Sequence, residues 1–390
     1  DFDKFEIAVE LTRITFPFLL FVSLSSFFSG ILNSHNKFAA AAAAPIILNL
    51  ILILFLIISY FYNLNFAKSL SIGVTLSGIL QLIFLIFFTK RYYKPRFKIK
   101  KKNSNRIKSF LKKLFPSIFS SGITQINILI GTIIASFQAG AVSYLYFADR
   151  IYQINLAIAG IAVSTVSLPV LSKTLKQNNQ DKAHDIQNKS IELSFLFSIP
   201  ASMGVVIAAE EIVNALFGYG SFNKNDVKLT ALALKYFGFG IPAFALLKVF
   251  ANMFFARDDT KSPFYISLII VILNISVSLY FFRKFGFIII PIATSISSWL
   301  GVFVYLLLLK NRNYFKIGKQ NALNMIKIFF GTIIMSILLL FLIDFFNDKL
   351  DYSQNFKFFY LLLVVTIVAI TYFISCYLLG VLNFRRFRAI

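Results

Sequence analysis

Long uncharged, apolar runs recur along the whole 390-residue chain and are separated by polar segments. A bilayer core about 30 Å thick needs about 20 helical residues to cross it, and backbone groups inside it must bond within the span, which favours helices. No run shows the alternation of a membrane β-barrel. The pattern predicts an all-α polytopic membrane protein with eleven transmembrane helices, at 14–33, 39–62, 69–89, 115–138, 141–172, 191–213, 229–256, 264–282, 286–309, 323–343 and 358–382.

The composition argues against a soluble enzyme. Hydrophobic residues make up 58% of the chain and charged residues 14%, whereas soluble domains are about 45–50% apolar and about 25% charged. One Cys excludes a disulfide framework or a Cys-based metal cluster, and two isolated His residues, His35 and His184, argue against a zinc site. No nucleophile–base pair, HExxH, P-loop or GxGxxG motif is present. We therefore expect no enzyme activity, no bound metal and no cofactor.

The charge distribution predicts the orientation. The net charge is +23 although charged residues are scarce, which indicates basic loops between spans rather than a nucleic-acid partner. The loop at 90–113 carries twelve Lys or Arg and no acid, and we expect it to lie near anionic lipid headgroups and to separate two helical lobes. If this loop is cytoplasmic, 26 basic residues fall inside and nine outside, with the N-terminus outside and the C-terminus inside.

Two charged residues, Asp149 and Arg150, lie about nine residues into the span that begins near Ala141, about 13 Å deep. Each costs about 2.5–3.5 kcal/mol at the centre of a membrane helix, so such residues normally face protein or a water-filled cavity. Adjacent helix positions do not face each other, so each needs its own partner. Either Arg150 binds an anionic group in a central cavity while Asp149 anchors the helix or titrates, or the two form buried ion pairs with other helices.

Other polar residues of the spans allow two interpretations each. Gln153, on the same face as Arg150, and Asn155 either line a polar cavity or bond to another helix. Lys248 either faces the cavity or extends to the membrane interface. The preceding span is unusually polar, so it either faces water or packs closely against protein; its polar residues are Ser120, Ser121, Thr124, Gln125, Asn127 and Thr132.

Four stretches of the chain carry a family resemblance. They are TRITFPFLLFVSLSSFFSGILNS at 12–34 with KFAAAAAAPIILN ending at Asn49, YLYFADRIYQ at 144–153 with SLPVLSKT at 167–174, LFGYGSF at 216–222, and KVFANMFFARDDTKSP at 248–263. On these the sequence resembles the MurJ (MviN) family of lipid II flippases in the multidrug/oligosaccharidyl-lipid/polysaccharide exporter superfamily. Together they span most of the chain in the family's order.

The resemblance implies a fourteen-helix fold with two six-helix lobes and an extra C-terminal pair. On that scheme 1–89 is the rest of the N-terminal lobe, 90–113 the inter-lobe loop, 114–309 the C-terminal lobe and 310–390 the C-terminal pair. The chain would then begin at the fourth helix. The outside N-terminus and the start at Asp1 rather than Met likewise lead us to expect a fragment that lacks an odd number of upstream helices.

The resemblance also implies a function: movement of lipid II from the cytoplasmic to the periplasmic leaflet of the bacterial inner membrane by alternating access. Arg150 matches a cavity arginine that meets the lipid II diphosphate, and Asp149, Gln153 and Lys248 are the other cavity candidates. Transport would be coupled to the membrane potential or an ion gradient, and cell-wall synthesis proteins are expected partners. A guanidinium suits the diphosphate because its fork binds phosphate oxygens in pairs.

The chain departs from the family at several positions. Gln153 stands where the family usually has Glu, and Asn155 where it has Pro. Some members bind a cation between late helices, and Asn274 and Thr294 match polar positions there, while Ser278 stands where an acid occurs. These three residues form a candidate sodium site.

Two other functions remain open. The first is export of another lipid-linked oligosaccharide or of cationic drugs, but a cationic substrate favours acidic cavity residues, and Asp149 stands alone against Arg150 and Lys248. The second is a membrane scaffold without transport. A scaffold would bury Arg150 in a dry ion pair, so the surroundings of this residue distinguish the two classes.

Overall fold

Every regular element in the described part of the chain, residues 2–35, 37–93 and 125–382 of a computed structural model, is helical. The helices are α1 (Phe2–Thr15), α2 (Pro17–Ser34), α3 (Phe38–Phe61), α4 (Phe66–Thr89), α5 (Gln125–Ser136), α6 (Ala141–Leu156), α7 (Val163–Lys176), α8 (Gln180–Ile207), α9 (Ala209–Phe217), α10 (Lys224–Phe255), α11 (Lys261–Phe285), α12 (Ile289–Asn311), α13 (Lys319–Phe345), α14 (Asn347–Leu350) and α15 (Lys357–Leu378). The expectation of an all-α fold is confirmed.

Nine segments of the described chain are long and apolar enough to cross a membrane. They are Phe5–Ser34, Ala39–Phe61, Phe66–Thr89, Ala141–Lys176, Gln180–Ile207, Lys224–Phe255, Lys261–Asn311, Lys319–Phe345 and Lys357–Leu378. The segment Lys261–Asn311 contains two helices, α11 and α12, which pack against each other, and α5, Gln125–Ser136, is shorter than these nine segments. The predicted number of eleven is therefore not confirmed.

The described residues form two compact units, within 1–104 and within 105–390. In the first unit α1, α2 and α3 each pack against α4. The side chain of Asn65 accepts a hydrogen bond from the backbone N of Lys68 at 3.1 Å, which caps the start of α4. A Cβ at Gly78 would lie 2.7 Å from the ring of Phe18, so this glycine lets α2 approach α4 closely.

The second unit is built around α10, which is mostly buried and packs against α6, α8 and α12. A capping box begins α10: Asn223 Oδ1 accepts from the backbone N of Asp226 at 3.0 Å, and Asp226 Oδ2 accepts from the backbone N of Asn223 at 2.9 Å. Farther along, a Cβ at Gly240 would lie 2.6 Å from Ser295 Oγ. The glycine at position 240 thus lets α12 approach α10 closely at the centre of the unit.

The predicted span at 141–172 is a long helix with an irregular centre. A π-helical segment, Ala157–Ala162, joins α6 to α7, and Pro169 lies inside α7. The buried amide of Asn252 donates from Nδ2 to the carbonyl of Ser164 at 2.7 Å. Regular α-helical bonding is interrupted by the π-helical segment, and just after it a side chain from α10 adds a hydrogen bond to the backbone at the start of α7. π-Helical turns occur frequently at functional sites, and this one begins two turns beyond Arg150.

Two predicted boundaries are wrong. The sequence predicts a single span at 191–213, but α8 runs from Gln180 to Ile207 and a separate helix, α9, follows Ala208. The polar stretch 173–190 therefore contains the first turns of α8, and α9 begins inside the predicted span and ends beyond it. The acids Glu210 and Glu211 in the first turn of α9 suit the positive end of a new helix.

Helix α13 packs against α8 and α15. The buried carboxylate of Glu192 in α8 accepts hydrogen bonds from the side-chain amides of Asn321 and Asn324, each at 2.8 Å. The hydroxyl of Tyr372 in α15 donates to the carbonyl of Leu196 at 2.7 Å. Polar contacts thus tie the last helices to α8, while the division of this unit at 309/310 stays a prediction.

Some predictions fall on residues 94–124 and 383–390, which lie outside the described residues. They concern most of the basic loop 90–113, the basic C-terminal tail, and Ser120, Ser121 and Thr124.

Candidate functional site

The side chain of Arg150 is exposed on α6. Its guanidinium lies over the ring of Tyr146, 4.7 Å from the ring centroid, one helical turn earlier. None of the four ion pairs among the described residues includes Arg150. The guanidinium therefore retains N–H donors for a ligand, and the aromatic face restricts where those donors point.

Asp149 points differently from its neighbour Arg150. It is half-buried, and its Oδ2 accepts a hydrogen bond from Nε2 of Gln153, one turn later. The structure thus brings Gln153 to Asp149 rather than to the guanidinium. Asn155 donates from Nδ2 to the carbonyl of Ile151 in its own helix at 3.4 Å.

Asp149 lines a cavity of about 320 Å³ inside the second unit, between α5, α6, α10, α11 and α12. The polar residues of its wall are Asn127, Thr132, Tyr146, Asp149, Tyr152, Asn274, Ser278 and Thr294. The structure therefore joins Asp149 to all three candidate cation residues. It leaves Arg150, Gln153 and Lys248 off this wall; Lys248 is exposed on α10.

The candidate cation residues form one hydrogen-bonded cluster. Asn274 donates from Nδ2 to Asn127 Oδ1 and to Thr294 Oγ1, each at 3.2 Å, and its own Oδ1 accepts from Ser278 Oγ at 3.2 Å. All four side chains are neutral, and nowhere in the described chain do three or more His, Cys, Asp or Glu side chains form a group that could hold a metal ion. A cation here would meet amide and hydroxyl oxygens, with Asp149 on the same wall as the carboxylate.

Aromatic stacking fixes α6 against the central helix. The ring of Tyr152 stacks on Phe237 of α10, with ring centroids 4.8 Å apart, and contacts Phe244 at 5.3 Å. Because Tyr152 lies between Arg150 and Gln153, this contact sets which faces of α6 turn toward the cavity and which turn away.

Sequence reasoning missed three residues of this site. Asn127 was counted only as one polar residue of its span, and its pairing with Asn274 depends on the packing of α5 against α11. Tyr146 carried a detectable pattern, because it precedes Arg150 by four positions and so lies on the same face of the helix. Tyr152 is two positions from Arg150 and does not face it, and its stacking on Phe237 follows only from the structure.

The family model described as lipid II flippase MurJ matches residues 1–380 of the chain. A probable lipid II flippase MurJ of Rickettsia prowazekii (strain Madrid E) is 36% identical over 389 residues, covering 98% of this chain and 75% of the relative. A probable lipid II flippase MurJ of Haemophilus influenzae is 31% identical over 393 residues, covering 98% of this chain and 76% of the relative.

Solved structures give the same result at the level of the fold. A lipid II flippase MurJ in an inward closed conformation superposes with a TM-score of 0.76 at 26% identity, covering 94% of this chain and 73% of that structure. An inward-facing multidrug transporter of the MATE family superposes with a TM-score of 0.69 at 15% identity, covering 79% of this chain and 71% of that structure, which shows the shared fold alone. The chain belongs to the lipid II flippase MurJ family.

Proposed function

We propose that the chain moves lipid II from the cytoplasmic to the periplasmic leaflet by alternating access, and that Arg150 binds the diphosphate. Membership of a flippase family makes it a transporter rather than an enzyme, a multi-pass protein of the bacterial inner membrane with lipid II as its substrate. The observation that carries the role of Arg150 is its exposed guanidinium on a membrane-spanning helix, outside the ion pairs of the described chain.

The chemistry of the ligand fits this residue. A diphosphate offers paired oxygens, which a planar guanidinium binds two at a time. Tyr146 covers one face of the group and leaves its edge accessible. Asp149 forms no ion pair with the guanidinium, and its carboxylate is turned toward Gln153. A scaffold would instead hold such an arginine in a dry ion pair.

The other cavity candidates have supporting roles in this proposal. Lys248 adds a second exposed positive charge, on α10, which attracts the anionic headgroup. Gln153 holds the carboxylate of Asp149 in place through a neutral amide. The neutral amide also means that no charge is gained or lost at position 153 during a cycle.

We further propose that the chain crosses the membrane eleven times. The support is that Lys261–Asn311 contains two helices packed against each other, each of which is long enough to span, and that α5 is apolar and precedes α6 directly. Counted in this way, the basic loop at 90–113 and the segment 312–318 lie on the same side.

Coupling to the membrane potential or to an ion gradient is part of the proposal, and Asn274, Ser278 and Thr294 are its candidate sodium ligands. Their shared wall with Asp149 supports this assignment. The sodium site is tested by measuring lipid II transport in liposomes that contain the unmodified protein or Asn274→Ala, in sodium and in potassium buffers. Only a sodium site predicts that the variant loses a sodium-dependent part of the transport rate. Cell-wall synthesis proteins remain proposed partners.

The deciding experiment compares translocation of labelled lipid II into liposomes by the protein and by Arg150→Ala. Arg283→Ala is the matched control, since Arg283 is an exposed arginine of the same unit at the end of α11. We expect transport with the control and a rate near background with Arg150→Ala at equal protein incorporation. Full activity of Arg150→Ala would remove this residue from the mechanism, and inactivity of the unmodified protein would favour another exported substrate.

A further inference from the structure

The first residue of α15, Lys357, is buried, with 1% of its surface exposed. Its Nζ donates to Asn214 Oδ1 at 3.1 Å, to the carbonyl of Gly218 at 2.6 Å and to the carbonyl of Tyr352 at 2.9 Å. It also lies 4.2 Å from the ring centroid of Tyr219 and 4.7 Å from that of Tyr352. All three N–H donors of the ammonium therefore have partners, and two aromatic faces cover it.

The partners of this ammonium are neutral. None of the four ion pairs of the described chain includes Lys357. Asp351 attracts the ammonium electrostatically but forms no ion pair with it; its own ion pair is with Lys224, at 3.9 Å. A buried cation without a carboxylate in contact is costly, and apolar residues of similar size often serve stability as well. An ammonium at this position is therefore better explained by what its three directed hydrogen bonds hold in place than by a general contribution to stability.

Lys357 joins two segments that are far apart in the sequence. One is the end of α9 with the loop to residue 222, and the other is the segment 346–357. Asn214 Nδ2 donates to the carbonyl of Leu350 at 2.8 Å, and the hydroxyl of Tyr352 donates to the carbonyl of Phe222 at 2.8 Å. A Cβ at Gly218 would lie 2.6 Å from the carbonyl oxygen of Asn214, so only glycine lets the chain turn this tightly around the ammonium.

The loop held by Lys357 contacts the helix that carries Arg150. Phe217 and Phe222 pack on the ring of Phe147 in α6, with centroid distances of 4.7 Å and 5.3 Å. Nearby, the hydroxyl of Tyr144 donates to Asp226 Oδ1 at 2.9 Å. Phe147 precedes Arg150 by three positions in the same helix, so a rotation of α6 at Phe147 also turns the face that carries Arg150. A continuous set of contacts thus runs from the ammonium to the start of α6.

We propose that Lys357 is a positioning residue for lipid II transport: its ammonium fixes the 216–222 loop, and the loop fixes the orientation of α6 and of Arg150. The proposal rests on the proposed function of Arg150. In this proposal α15 helps to set the orientation of α6, through the 216–222 loop at one end of the unit.

Hydrogen exchange tests the contacts without relying on transport. Lys357→Met keeps the length of the side chain and removes the charge and the donors; Lys235→Met, at an exposed lysine of α10, is the matched control. In Lys357→Met we expect exchange to rise about tenfold in the peptides covering 141–150 and 214–222 and to stay unchanged in 163–176 and 289–311. A rise confined to 346–357, or a uniform rise over the unit, would overturn the proposal.

Chemical rescue tests the role of the ammonium in transport. Lys357→Ala should lower the rate of lipid II flipping about tenfold or more, because small misplacements of a binding group are costly. Propylammonium should restore about half of that loss by entering the vacated cage, whose oxygens and rings suit an alkylammonium. It should leave the unmodified protein and Lys235→Ala unchanged. A loss that propylammonium does not reduce would argue against positioning by the ammonium.

A third variant covers the case in which these substitutions prevent folding. Tyr352→Phe keeps the ring over Nζ and removes only the bond to the carbonyl of Phe222. We expect exchange in 141–150 to rise about threefold and transport to fall to a similar degree. Unchanged exchange would contradict the proposal. Activity of the unmodified protein reports separately on the proposed function, so the two can fail independently.

Discussion

At the scale of single residues, the face that a side chain presents decides its role more than its place in the sequence. Asp149 and Arg150 are neighbours, yet Asp149 lines the cavity and bonds to Gln153, while Arg150 is exposed and lies over Tyr146 without lining the cavity. Sequence reasoning could place both charges at membrane depth because burial costs are general. It could not say which of the two faces the cavity, because that depends on how Tyr152 seats α6 against α10.

The substitution Arg150→Lys separates charge from geometry. Lysine keeps the positive charge but loses the planar fork that binds two phosphate oxygens together. We expect lipid II transport to fall about tenfold, equivalent to about 1.4 kcal/mol of lost binding. Initial flipping rates in liposomes measure the effect, with Tyr146→Phe as a control that keeps the ring under the guanidinium. A lysine variant as active as the unmodified protein would show that charge alone suffices.

At the scale of elements, one ion pair joins the start of α11 to the end of α12, opposite the turn at 286–288 that connects these helices. Asp259 accepts hydrogen bonds from the backbone N of Ser262 at 3.0 Å and from its hydroxyl at 2.7 Å, at the start of α11. It also pairs with Arg312, at 2.6 Å, just after the end of α12. The carboxylate thus joins the first turn of one helix to the last turn of the next, which accounts for the acid in the stretch ARDDTKSP.

Stability should depend on pH through Asp259. Burial raises the pKa of its carboxyl, but the hydrogen bonds from Ser262 and Arg312 lower it more, so the net pKa lies below its ordinary value. A lowered folded-state pKa gives stability that is present above the ordinary pKa of about 3.9 and is lost as pH falls through the folded value. Asp259→Asn should lower the thermal midpoint at pH 7 by about 2 °C, because the pair is partly exposed.

The difference in thermal midpoint between Asp259→Asn and the unmodified protein should shrink in acid, because protonation of Asp259 removes the same negative charge. Thermal unfolding in detergent between pH 3 and pH 7 measures it. Asp258→Asn is the control: Asp258 is the exposed neighbour with φ +59°, a conformation that asparagine adopts readily. An equal effect of both substitutions would exclude a specific role for Asp259.

The irregular centre of the α6–α7 helix makes a separate prediction. Asn252→Leu removes the donor that reaches the carbonyl of Ser164 while keeping the volume of the side chain. The half-buried carbonyl of Ser164 then keeps the longer hydrogen bond from Ser167 Oγ at 3.3 Å, so we expect the lost bond to cost about 0.5–1.5 kcal/mol. Urea or thermal unfolding of the purified protein measures the loss, and Asn252→Asp, which cannot donate when ionised, should be at least as damaging. A neutral outcome for leucine would mean that another donor replaces Asn252.

For the whole molecule, hydropathy predicted the helical class and most spans, because backbone groups in a membrane leave few alternatives. It failed where an apolar run hides a break, as at Ala208 between α8 and α9. It also leaves Lys357 just outside the predicted span at 358–382, although the structure buries this residue. Such residues depend on contacts between distant segments, which periodicity does not encode. The family, by contrast, was evident from local motifs.

Contacts between loops show which loops of the second unit lie at the same end of its helices. Gln138 bonds to the backbone N of Phe287, and Asn214 to Leu350, at one end; Arg257 bonds to Tyr314 at the other. The segments 173–190, 257–261 and 310–319 carry ten Lys or Arg, whereas 210–228, 283–284 and 344–357 carry six. The positive-inside rule therefore predicts that the end containing Tyr314 is cytoplasmic.

Cysteine labelling of intact cells tests this orientation. The single native cysteine, Cys376, is buried, so background labelling should be low. Gln354→Cys and Gln177→Cys place exposed thiols at the two ends. A maleimide that cannot cross the membrane should label position 354 in spheroplasts and position 177 only after the membrane is opened. Labelling of position 177 in spheroplasts, and of position 354 only after the membrane is opened, would mean that the chain has the opposite orientation. Because lipid II starts on the cytoplasmic side in the proposed cycle, that result would also reverse the side from which the diphosphate first reaches Arg150.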